Sequence, residues 1–117
     1  MKQFLIILLV LTGFISTLEA RSDKYDERGF KVYLKHCKKC HGNPYKGAAM
    51  RKSRGWEKLF GEEAKRLIAL HKKSPEKEEV SALMTRKSKT KHLRKFLMQS
   101  ASDSGVVTGC DGNYCGQ

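Results

Sequence analysis

Cys37-Lys38-Lys39-Cys40-His41 is the stretch of this chain whose residue types and spacing could carry chemistry. Residues three and four apart on a helical turn share a face, so the two thiols and the imidazole project together. C-x-x-C followed by His is the arrangement used for covalent haem attachment. Each thiol adds to one vinyl group of a haem, and the imidazole takes the iron as its proximal ligand. Thioether bonds also hold the cofactor where the surrounding fold is small. Two plainer assignments exist for the same cysteines: a dithiol redox pair, or half of a zinc site with His41 adjacent by chance.

The flanking residues extend the motif. Gly29-Phe30-Lys31-Val32-Tyr33, with Cys37 four residues on, resembles the G-x-x-x-[FY]-x-x-x-C-x-x-C-H opening of class I c-type cytochromes. The resemblance implies a small all-α, cytochrome c-like fold of about four helices around one covalently bound haem c and its iron. It implies that Cys37, Cys40 and His41 hold that haem. It also implies that Gly29 and Tyr33 (or Phe30) pack the first helix against the last. Departures from the family are a missing Met-Pro-type distal loop, a missing Gly-Pro-x-Leu segment, and a cysteine-containing tail with no counterpart.

Periodicity supplies the elements that must position the motif. Ser22 or Asp23 is available to cap a first helix whose apolar side is Tyr25, Phe30, Tyr33 and Leu34. Gly42, Asn43, Pro44 and Gly47 mark residues 42–53 as a loop. From near Ser53, the residues Trp56, Leu59, Phe60, Ala64, Leu67, Ile68 and His71 recur at threes and fours, the stripe of an amphipathic helix. Ser74-Pro75-Glu76 then opens a short helix through Val80, Leu83 and Met84. A last helix, about Ser88 to Ala101, carries Leu93, Phe96 and Leu97 and should cross the first near Gly29. No stretch alternates with period two, and no internal repeat is present.

The second axial ligand decides what an iron held by His41 could do, since methionine raises the potential relative to a second histidine and an open position admits small ligands. Met84 lies where the resemblance places the ligating methionine, although Val80 and Leu83 beside it suit helix packing equally. His71 continues the stripe of Trp56, Phe60 and Leu67 and so points to the core. Met50 stands nine residues after His41, a short path round a porphyrin edge. Met98 adjoins the last apolar stripe, and His36 and His92 lie among lysines, where solvent is expected.

Compartment and partners follow from the ends of the chain and its charge. Residues 1–20 have a positive start, an apolar run from Phe4 to Ile15 and Leu18-Glu19-Ala20 as a cleavage site, so they read as a signal peptide. An uncleaved membrane anchor is the alternative. Residues 21–104 then form the cytochrome c domain and 105–117 a tail, with export to the periplasm implied by the family. In an oxidising compartment Cys110 and Cys115 pair as a disulfide. Net charge is +12, unchanged by cleavage because Lys2 and Glu19 cancel. A field of that sign steers acidic partners. Lys38 and Lys39 flank the motif, with Lys31, Lys35, Lys46, Arg51, Lys52 and Arg54 nearby. A second cluster runs from Arg86 to Lys95.

The expected function is therefore a monomeric monohaem carrier of single electrons that meets acidic redox proteins transiently and makes no bonds in a substrate. It binds no nucleic acid and approaches membranes only through a membrane-bound partner or an uncleaved leader. A haem subunit or sensor docked on a larger oxidoreductase is the variant of that reading. The contrasting class is a basic zinc protein, nucleic-acid binding, that joins Cys37 and Cys40 to Cys110 and Cys115.

Overall fold

Gly29 is the point at which the two ends of the fold meet. A side-chain carbon there would lie 2.0 Å from the carbonyl oxygen of His92 and 2.6 Å from Cβ of Phe96, so only glycine lets the two backbones approach this closely. The computed structural model describes residues 26–105. All the regular structure in that span is helical: α1 (Glu27–His36), α2 (Lys38–His41), α3 (Pro44–Ala48), α4 (Ser53–Leu70), α5 (Lys77–Thr85) and α6 (Lys87–Gln99). Among the described residues no helix is long and apolar enough to cross a membrane. The leader and the Cys110/Cys115 tail lie outside them.

Helix α1 crosses α6, and the crossing is sealed by aromatic rings. Phe96, fully buried, stands edge-on to Phe30 at 5.5 Å and lies 6.0 Å from Tyr33 and 6.2 Å from Tyr45. Edge-to-face rings at these distances add to the area they bury. A valine at position 29 would push α6 off this cluster, because the obstructing atom is backbone and cannot rotate away. Gly29→Val should cost about 3 kcal/mol or more, read as a lower urea midpoint. A midpoint equal to the wild type would mean that the helices do not cross here.

Asp26, rather than Ser22 or Asp23, caps α1: its Oδ1 accepts the N–H of Gly29 at 2.8 Å. The same residue ties the cap to α6. Its Oδ2 pairs with Nδ1 of His92 at 2.9 Å, and its backbone N–H donates to Oε1 of Gln99. Burial alone would raise the carboxyl's pKa, but the bonds from His92 and from the Gly29 N–H outweigh it and hold the group below its usual range. His92, expected in solvent, is thus drawn in by a carboxylate no local pattern reveals.

The span expected to be loop contains a helical turn. Pro44 sits in the first turn of α3, where its missing N–H costs nothing, and Oδ1 of Asn43 accepts the N–H groups of Tyr45 and Lys46. Gly47 is needed because a Cβ there would collide with the ring of Tyr33. Helix α4 begins at Ser53 as its periodicity predicts, but its N-terminal cap comes from afar, with Oδ1 of Asp103 accepting the Ser53 N–H at 2.7 Å.

Midway, α4 kinks. Glu62, Glu63 and Ala64 have φ of 50°, 57° and 60°, after an extended Gly61. Left-handed backbone is unfavourable for residues with a Cβ, so packing must impose it; Ala64 is fully buried. The kink re-aims the second half of α4, which ends at His71.

Candidate cofactor site

Helix α1 stops at His36, and Cys37 is the joint between it and the four-residue helix α2. Two backbone bonds to the Cys37 carbonyl close the turn, from Cys40 at 3.2 Å and from His41 at 3.0 Å. Gly42 ends it with φ of 69°, its N–H bonded to Lys38 O. Cys37, Cys40 and His41 consequently line one cavity.

That cavity has a volume of about 360 Å³, within the ~300–1,000 Å³ of small-molecule and cofactor sites. Its walls are mostly apolar. Tyr33 comes from α1; Trp56, Leu59, Phe60 and Leu67 from α4; Val80, Leu83 and Met84 from α5; Leu93 and Leu97 from α6. Trp56 is fixed by its indole N–H, which donates to Ala48 O at 2.7 Å. Two polar atoms in the wall, Oη of Tyr33 and Nε2 of His36, are buried without a hydrogen-bond partner. Buried polar atoms without a partner are uncommon in folded proteins, and both of these border the cavity.

His71 and His41 come together at this cavity. Their ring centroids are 5.9 Å apart, with planes at 79°. His71 is the C-cap of α4, and its Nδ1 donates to Leu67 O at 2.8 Å. A carbonyl can only accept, so the bond fixes the proton on Nδ1 and leaves Nε2 with a lone pair, the second contact typical of ligating histidines. Partial loss of water, and then the neighbouring His71, hold the His41 pKa below its ordinary value. Both effects favour the neutral imidazole, the form that binds metal.

Met84 also lines the cavity, 7% exposed on α5. Met50 is at the cavity's edge but 60% exposed, and Met98 is not in its wall. His36 is not solvated as its lysine neighbours suggest: its side chain is 11% exposed and its Nδ1 meets Oε1 of Glu79 on α5 at 2.7 Å. Sequence offered no signal for this, since the partners are 43 positions apart.

Burial, followed by the charges of Glu79 and Cys40, pushes the Cys37 thiol up to about 12. Cys40 is exposed, and the two cysteines are not joined to each other or to any described residue. Around the motif the cations are partly matched: Lys39 meets Glu76 at 3.1 Å and Lys31 meets Glu27 at 2.8 Å. Such exposed pairs contribute little to stability, but they reduce the free positive charge at this edge.

The chain matches no protein-family model, no curated protein and no solved structure.

Proposed function

We propose that this chain is an exported monohaem c-type cytochrome that carries single electrons between redox partners. The observation that carries the reading is the convergence of Cys37, Cys40, His41 and His71 on one apolar cavity. Cys37 and Cys40 would hold haem c by thioethers, and His41 and His71 would hold its iron. Their ring centroids lie 5.9 Å apart at the cavity, which supports the pairing. When bound, the haem supplies reversible one-electron exchange at iron.

The protein's own residues do the rest. Leu67 O orients His71, Trp56 and the α4–α6 side chains keep water from the cavity, and Gly42 turns the chain away after His41. Met84, which the family resemblance favours as a ligand, serves in this reading as wall. A dithiol redox function fits poorly, because such centres need a thiolate near neutral pH and burial keeps the Cys37 proton in place. The crossing of α1 and α6 at Gly29 supports the class I resemblance. Acidic proteins remain the proposed partners, met transiently by a monomer outside the cytoplasm.

The test is direct. Full-length protein exported by a host with haem-attachment machinery should keep a haem-dependent peroxidase stain on a denaturing gel, at one haem per chain. A colourless band, with the protein folded, would sink the proposal.

A further inference from the structure

Helix α6 and its cap carry Arg86, Lys87, Lys89, Lys91, Arg94 and Lys95 within ten residues, with no acid among them. The N-terminal turn of a helix is the unfavourable end for cations. Lys87, Lys91 and Lys95 also repel one another at successive four-residue steps. Among the described residues only Arg94 of this group takes an ion pair, a long one with Glu57 at 3.5 Å. So much unpaired charge of one sign leaves the helix able to attract an acidic surface.

The lysine ridge borders an open groove of about 940 Å³ on the far side of Phe60 and Met84 from the motif cavity. Its floor is Phe60, Ile68, Met84 and Met98, while Lys65 stands on the α4 side and Glu63 is the one acid in the lining. We propose that this α4/α6 groove docks an acidic amphipathic helix of a partner protein. An apolar floor asks for apolar side chains, and methionines adapt to them. The ridge spans two helical turns, about 12 Å, and so matches acids repeating every four residues on a partner helix, the helix-in-groove mode. A flat lipid surface would not enter the groove, and a polyphosphate would use its cations but not its floor. Phe60 and Met84 are common to groove and cavity, so the docked helix lies one side-chain layer from His41 and His71. The proposal does not depend on what the cavity holds.

The experiment titrates the full-length exported protein into a labelled helical peptide, glutamates at four-residue spacing on one face and leucines on the other, and follows anisotropy. Binding should fall with salt, and should weaken by about tenfold or more in Lys91→Glu/Lys95→Glu and in Met98→Asp. Lys46→Glu, away from the groove, should leave it unchanged. Lys91→Glu/Lys95→Glu exchanges one like-charge pair for another and sets an acid near Asp26, so circular dichroism checks the fold of both variants, and Lys91→Ala/Lys95→Ala should weaken binding in the same direction. Equal binding of polyglutamate would overturn the proposal by making the floor irrelevant. So would binding of phosphatidylglycerol vesicles but not the peptide, peptide affinity indifferent to both variants, or a rise in affinity on deleting residues 106–117, which would make the tail the occupant.

Discussion

Cys37→Ala and Cys40→Ala should each remove most of the holoprotein, and the double variant should carry no covalent haem at all. In the proposed function each thiol would make one of the two bonds to the cofactor, and haem would supply apolar bulk to the cavity of about 360 Å³. The two variants should not be equivalent. Cys37 packs against the core while Cys40 is exposed. Cys37→Ala therefore also removes packing contacts, while Cys40→Ala loses only the link. Haem stain normalised to protein, with thermal unfolding of what remains, separates the two effects. Undiminished stain in either single variant would show that its thioether is dispensable.

The second large effect is expected at His71, the proposed partner of His41 on the iron. His71→Ala should open the oxidised protein to cyanide and the reduced protein to carbon monoxide. Met84→Ala should leave both spectra closed, yet lower stability by about 2–5 kcal/mol as a buried side chain is cut back. The wild type should lack the weak near-infrared iron–sulfur band and have a potential well below that of methionine-ligated c-type cytochromes. The reverse outcome, a band present and abolished by Met84→Ala, would reduce His71 to a helix cap. If neither change moves the spectrum, exposed Met50 becomes the residue to substitute.

What could be read ahead of the structure was whatever period or spacing encodes. The stripe from Trp56 to His71 is helical on both sides of the Gly61–Ala64 break, the Cys37–His41 turn follows from its spacing, and the family resemblance marked Gly29 as a close crossing, where a Cβ would meet the His92 backbone. The start of α5 was legible to within a turn, with Ser74 Oγ accepting the Glu76 N–H just ahead of it. Features set by distant partners were silent. Asp26 displaces Ser22 and Asp23 as cap because His92 and Gln99 wait on α6. Asp103 caps α4 from beyond the last helix. His36 is drawn out of solvent because Glu79 meets it. The left-handed Glu62–Ala64 segment has only Gly61 as a local hint, and α3 hides because Pro44 and Gly47 resemble loop residues until Asn43 is seen to cap them.

The meeting of α1 and α6 also sets an order of events in time. Asp26 and Gln99 are 73 positions apart, and the aromatic cluster on Phe96 closes only when the last helix arrives. Contacts this distant in sequence make folding slow to nucleate. A chain threaded out of a cell N-terminus first would expose Cys37 and Cys40 well before α6 could cover Gly29. If the proposed function holds, that delay would give a ligating enzyme access to both thiols while the turn that bears them is still open, and the long-range crossing would time the modification as well as clasp the finished fold.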